Sequence, residues 1–170
     1  LEMASNDDVL KIAIKHKPNF VCIVPEKRNE VTTEGGLNLK KNIKKLKKII
    51  QILNHNNIRT SLFINPTKKD IKISNLLNAK CIELHTGKIS NQIKKNKKYN
   101  NDLNKIKICA KYAKSLGLEV HAGHGMDYKT AKILSKIKEI EEFNIGHFII
   151  GESIIYGLKK TIRNFKNILK

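Results

Sequence analysis

Leu118-Glu119-Val120-His121-Ala122-Gly123-His124-Gly125 is the stretch on which the fold turns. It reads as a short apolar strand running directly into a small-residue turn, with two histidines along the way. Gly123 and Gly125 permit a tight bend and leave backbone N–H groups accessible, while His124 between them exchanges a proton near neutral pH. Such a turn can hold an anionic substrate and perform acid–base chemistry on it. A weaker echo follows, where Phe143-Asn144-Ile145 leads into Gly146-His147 and Phe148-Ile149-Ile150. Two neighbouring strands thereby bring Gly and His to one rim.

Upstream of this stretch, strand and helix signals alternate. Leu1 to Ala4 reads as a strand, and Ser5 as the cap of a helix through about His16, stopped by Pro18. Asn19 to Val24 reads as a buried strand, followed by a polar loop through Thr32 to Gly36. A helix is expected from Asn38 to Asn54, a strand from Arg59 to Ile64, a short helix from Asp70 to Leu77 and a strand from Lys80 to Leu84. Lys88 to Asn100 reads as polar and mobile, and Asp102 opens a helix closed by a left-handed Gly117. Downstream, helices are expected from Asp127 to about Ile140 and from Leu158 to Leu169.

The strands read as apolar along their length, the pattern of parallel βα units covered by helices. Polar chemistry falls near most strand ends: Glu2, Glu26, Glu83 with His85, His121 with His124, and His147. A closed barrel gathers all such ends on one face, whereas an open sheet gathers ligands mainly at its switch point. The expected fold class is therefore α/β, a (β/α)8 TIM barrel. Only six strands can be counted against the eight required, and Leu1-Glu2-Met3 starts inside an apolar segment. The reading is an N-terminally truncated piece of about six βα units: one barrel domain over residues 1–170, lacking the first two.

In such a barrel Gly125 and the Gly146-His147 pair stand where the last strands make a phosphate site from backbone amides and a helix N-terminus. Glu2, Glu83 and His124 would project from three strand ends into one mouth, supplying two carboxylates and an imidazole for proton transfer. His85 and His121 read as hydrogen-bonded core histidines at or behind the rim, and His16 and His55 as surface residues. Other chemistries fit poorly. Tyr128 stands where a dinucleotide fingerprint needs its third glycine, and neither a Gly-x-Ser-x-Gly elbow nor a phosphate-loop lysine is present. No histidine pair has helical metal-ligand spacing, so no metal is assigned.

The formal charge of +19 and pI near 9.9 invite a polyanion reading. Lysine carries almost all of it, however: the only arginines are Arg28, Arg59 and Arg163, and aromatics make up 5%. Specific phosphate and base readers favour the arginine fork and aromatic stacking platforms. Small phosphorylated substrates are expected, with no nucleic acid and no membrane partner. Cys22, Cys81 and Cys109 are odd in number and lie in apolar surroundings, which reads as core filling in a reducing compartment, without disulfides or a zinc cluster.

Several blocks together resemble one family, the pyridoxine 5′-phosphate synthases of vitamin B6 biosynthesis. They are Leu1-Glu2-Met3-Ala4, the run from Val24 to Leu37, Ser61-Leu62-Phe63-Ile64, Ile82-Glu83-Leu84-His85-Thr86-Gly87, His121-Ala122-Gly123-His124-Gly125 and Asn144-Ile145-Gly146-His147. The resemblance implies a barrel that condenses 3-amino-2-oxopropyl phosphate with 1-deoxy-D-xylulose 5-phosphate, releasing phosphate and water as the pyridine ring closes. It implies no metal or organic cofactor, and a cytoplasmic homo-octamer. By the same resemblance Glu2 is a general base, His124 the general acid, and Glu83 a carboxylate that stabilises charge. Thr32 lies in the loop that covers the substrate, and Gly125, Gly146 and His147 contact the product phosphate. The family's first two strands, with a second catalytic histidine and further Arg and His ligands, have no counterpart here, so the chain alone is expected to be inactive. Two rival readings are another phosphate-binding barrel of the aldolase or isomerase type, which would need a strand-end Schiff-base lysine, and a non-catalytic basic binding module.

Overall fold

The computed structural model describes residues 1–25 and 35–169, so Glu26 and Thr32 lie outside the described residues. The first helix shows how locally the elements are set. Asn6, and not Ser5, caps it: its side-chain oxygen accepts hydrogen bonds from the amides of Asp8 (2.9 Å) and Val9 (3.1 Å). Helix α1 (Asp7–His16) then ends at Lys17, whose φ of 45° is left-handed.

Strands β1 (Glu2–Ala4), β2 (Phe20–Val24), β3 (Arg59–Ile64), β4 (Cys81–His85), β5 (Glu119–Gly123) and β6 (Glu142–Asn144) form one six-stranded sheet in sequential order. Every pairing is parallel. The connections are helical: α1, α2 (Ile43–His55), α3 (Lys68–Leu76), α4 (Gly87–Lys94), α5 (Asn100–Ser115) and α6 (Tyr128–Leu134), with α7 (His147–Tyr156) and α8 (Leu158–Ile168) after β6.

The strands are not apolar along their length, as expected from sequence, but two-faced. Register aligns Met3, Ile23, Leu62, Ile82 and Val120 on one face. These side chains join Leu10, Leu46, Ile50, Ile106 and Ala110 of the helices in a single core. The other face carries Glu2, Cys22, Ser61, Cys81 and Glu119 in one row, and Phe63, Glu83, His121 and Glu142 in the next. β4, Cys81-Ile82-Glu83-Leu84-His85, is thus a clean alternation whose polar side is as buried as its apolar side. Both faces escape solvent because the sheet curls. The rings of Phe20 on β2 and His121 on β5 are 6.0 Å apart. Three strand spacings in a flat sheet would separate them by roughly 14 Å. The result is an α/β fold with six parallel strands in a curled half-barrel.

Two segments depart from their expected form. The stretch after Gly87, expected to be mobile, is helix α4, which buries Ile89 and Ile93 one turn apart. Lys88 Nζ (2.9 Å) and Gln92 Nε2 (2.8 Å) both donate to Asp102 at the start of α5. Phe148-Ile149-Ile150 lies within helix α7, pinned by a Tyr128–Phe148–Phe165 aromatic cluster with centroids 4.5–5.9 Å apart. Three of its other apolar residues face solvent, Ile150, Ile154 and Ile155 being 64%, 83% and 74% exposed. Among the described residues all three cysteines are free, and no helix is long and apolar enough to cross a membrane.

Candidate active site

Glu83 is the centre of the polar face. It sits mid-strand in β4, not at a strand end, and is only 3% exposed. Its Oε2 accepts hydrogen bonds from Asn144 Nδ2 on β6 (2.8 Å) and from the Cys22 thiol on β2 (3.4 Å). Burial raises the carboxyl above the usual carboxylate range, and these two donors work against that rise. The negative charge of Glu2 adds to the rise, so the two carboxyl groups lie within electrostatic reach of each other. The Cys22 thiol is held protonated by burial first and by the Glu83 carboxylate second.

Glu2, also expected at a strand end, is the exposed first residue of β1. Hydrogen-bonded register carries its row through Cys22 and Ser61 to Cys81, two residues short of Glu83. Strands in a barrel are staggered, so such a row runs obliquely to the axis. That obliquity is what lets Glu2 sense Glu83.

Gly123 earns its place through contact, not flexibility. Its φ is not positive, and a Cβ there would overlap Glu83 Oε1. The bend itself is made by His124 (φ 80°) and Gly125 (φ 77°). A left-handed non-glycine backbone is uncommon and costs of order 1 kcal/mol. Thr86 offsets that strain from the neighbouring strand end. Its hydroxyl lies 2.7 Å and 2.8 Å from the carbonyl oxygens of Gly123 and His124, and its amide donates to the Gly123 carbonyl (2.9 Å). The His124 ring is exposed at the turn, its centroid 5.0 Å from that of His85 and 6.1 Å from that of Phe63. Gly87 closes this cluster from below, since a Cβ there would lie 2.8 Å from His85 Nε2 and 3.0 Å from His124 Cδ2. His85 itself is buried at the rim, as expected.

Gly125 and Gly146 each lie two residues beyond the Gly123–Asn144 register pair, at the same end of β5 and β6. Gly146 precedes α7 without a side-chain cap, and His147 is the first residue of that helix. The Gly125 carbonyl accepts a hydrogen bond from Lys94 Nζ (2.8 Å), which places a cation at the same turn. Cys22, Asn144, Thr86 and Phe63 were not singled out by sequence reasoning. Only cross-strand register reveals their contacts with Glu83 and His124.

A second polar cluster occupies the N-terminal ends of β3, β4 and β5. His121 is 2% exposed, matching its expected place in the core, and its Nε2 lies 2.8 Å from Glu119 Oε1. Arg59 forms an ion pair with Glu119, lies 3.6 Å from Cys81 Sγ and stacks 4.3 Å above the Phe20 ring. Glu119 is held below the usual carboxylate range: its partial burial pushes the other way, and His121 and Arg59 outweigh it. Burial pushes the Cys81 thiol up to about 11. Cys81 therefore faces this polar cluster and not the apolar core to which sequence assigned it, because alternation turns it inward with Glu83 and His85.

The family model described as "Pyridoxal phosphate biosynthesis protein PdxJ" matches residues 1–170. The chain is 67% identical to the pyridoxine 5′-phosphate synthase of Pelagibacter ubique, over 99% of this chain and 70% of that protein. It is 46% identical to the enzyme of the same name from Zymomonas mobilis, over 99% of this chain and 65% of the relative. For the Aliarcobacter butzleri enzyme the identity is 41%, over all of this chain and 74% of the relative. Among solved structures, the citrate synthase SbnG superposes with a TM-score of 0.55 at 10% identity, covering 99% of this chain and 72% of that one, a likeness of fold alone. With its whole described length matched by one family model and by relatives of one name, the chain belongs to the PdxJ family of pyridoxal phosphate biosynthesis proteins.

Proposed function

We propose that this chain carries most of the catalytic face of a pyridoxine 5′-phosphate synthase, which joins 3-amino-2-oxopropyl phosphate to 1-deoxy-D-xylulose 5-phosphate and releases phosphate and water. One observation carries the reading: Glu83 is buried, held by Asn144 and Cys22, within electrostatic reach of Glu2 and packed against Gly123, the residue before His124. Ring closure by condensation needs repeated proton transfers at one substrate. Glu2, exposed on the concave face, acts as general base, and His124, exposed at the rim, as general acid. Glu83 stabilises the positive charge that develops between them, and its burial strengthens that interaction. The amides at the start of α7, where no side chain caps the helix, hold the phosphate of substrate and product together with Gly125, Gly146 and His147. Thr32 belongs to the segment that covers the site during turnover.

The same proposal extends to architecture. Among the described residues β1 and β6 each pair on one side only, and α7 leaves Ile150, Ile154 and Ile155 uncovered. Two further βα units would pair both edges and cover that helix, completing a (β/α)8 barrel as a single domain of a cytoplasmic homo-octamer. The chain spans 70% of the length of the Pelagibacter relative, which leaves room for them.

The test compares the 170-residue chain with a chimera carrying the part of the Pelagibacter relative that lies outside the matched region. The chain alone is expected to self-associate and to form no product, and the chimera to be monodisperse and active. A monodisperse, active 170-residue chain would contradict the architectural half of the proposal. A folded chimera that binds both substrates without turnover would contradict the catalytic half.

A further inference from the structure

The cluster at the N-terminal ends of β4 and β5 takes no part in the chemistry above. Sγ of Cys81, a carboxylate oxygen of Glu119 and a ring nitrogen of His121 all lie within 4.8 Å of one another. Cys81 and His121 are 0% and 2% exposed, and the strands that carry them are paired residue for residue. Their backbone positions are therefore fixed. One sulfur, one nitrogen and one oxygen donor form the mixed set that zinc accepts, and ligands around a tetrahedral zinc stand roughly 3.5 Å apart. Small rotations about the side-chain bonds close that difference.

Two further features point the same way. His121 turns Nε2 toward Glu119, while its Nδ1 lies 3.7 Å from Glu142 Oε1. A carboxylate behind the second ring nitrogen is the arrangement that orients metal-bound histidines and fixes their tautomer. The donors also already attract a cation, since the Arg59 guanidinium reaches both Glu119 and Cys81. Arg59 is 46% exposed and rests on Phe20 at the edge of the cluster, so it can swing into solvent while the strand-borne donors stay.

We propose that Cys81, Glu119 and His121 form a binding site for one zinc-class divalent cation, with Arg59 as the competing occupant and Glu142 as the residue that orients His121. Binding breaks the S–H bond of Cys81, forms a metal–sulfur bond and releases the proton to solvent. Arg59 leaves the cluster, and solvent supplies the remaining coordination position. The site cross-links β4 to β5 and adjoins the active face through His121, the register partner of Glu83, so its first effect is on the stability of that strand pair.

Zinc(II) and cobalt(II) titrations of the full chain under reducing conditions test this. The expected result is one equivalent bound, with a near-ultraviolet sulfur-to-cobalt band that Cys81→Ala abolishes and Cys109→Ala retains. Glu142→Gln should weaken binding about tenfold to a hundredfold. Arg59→Gln should tighten it. X-ray absorption of the zinc-loaded parent chain, which needs no variant to fold, should show one sulfur and at least one imidazole. A sulfur-free zinc shell, a thiolate band that survives Cys81→Ala, or no saturable binding would overturn the proposal.

Discussion

Gly123 shows how much of the site depends on the absence of a single methyl group. The Glu83 carboxylate fills the space a Cβ would need, so the strand tolerates only glycine while Glu83 keeps its contacts with Asn144 and Cys22. Gly123→Ala should displace that carboxylate. Mispositioning a catalytic group by about 1 Å can cost roughly a hundredfold. The expected outcome is a loss of that order in kcat/KM for the chimera, with strand content by circular dichroism unchanged. Parent-like kinetics in Gly123→Ala would show that Glu83 is free to move. His124 is a residue-scale strain of a different kind, a side chain at φ 80° whose carbonyl is held by Thr86. The run Gly123-His124-Gly125 marks both residues as special, but as a flexible turn. Flexibility belongs to Gly125, and Gly123 serves close packing, a distinction invisible without the neighbouring strand.

At the scale of elements, the active face is made by register. Asn144 on β6 and Cys22 on β2 each reach Glu83 on β4 across an intervening strand, which a flat sheet does not permit for short side chains. The groups facing Glu83 are Glu2, whose charge raises its carboxyl, and Asn144, Cys22 and His121, which lower it; burial exceeds them all. Asn144→Ala removes a donor to the ionised form. The acid limb of the pH–rate profile, set by ionisation of Glu83, should therefore move to higher pH, so that activity at the acidic end falls while the plateau persists. A limb that stays in place or moves to lower pH would separate Glu83 from that titration. Strand boundaries were largely legible: Arg59–Ile64 appears as expected and Cys81–His85 within one residue. The alternation within those strands was not. Curling buries both faces, and short strands such as Cys81-Ile82-Glu83-Leu84-His85 offer too few residues to separate an alternating pattern from a mostly apolar one. Helix α4 was missed for a related reason, since only Ile89 and Ile93 mark its inner face among Lys, Asn and Gln.

Across the whole molecule, one curled sheet divides its labour between two faces. The outer face packs against helices and supplies the core, and the concave face gathers carboxylates, thiols and imidazoles from five of the six strands, β3 adding Ser61 and Phe63. That gathering explains how Glu2, the second residue of the chain, comes to influence Glu83 on the fourth strand. The sequence marked acids and imidazoles near successive strand ends; Glu83 instead sits mid-strand in β4, and Glu2 is the first residue of β1. The lysine surplus also reads as a solvated surface: among the described residues, lysine contacts such as Lys88–Asp102 and Lys114–Glu141 tie helices and loops together at the periphery. The most direct test of the central claim is product formation by the chimera carrying Glu83→Gln, which keeps the size of the side chain and removes its charge. Loss of a stabilising group aimed at developing charge costs about a hundredfold or more. A fall of that size in kcat with the fold intact is the predicted result, whereas turnover within a factor of about two of the parent would contradict a catalytic face centred on Glu83.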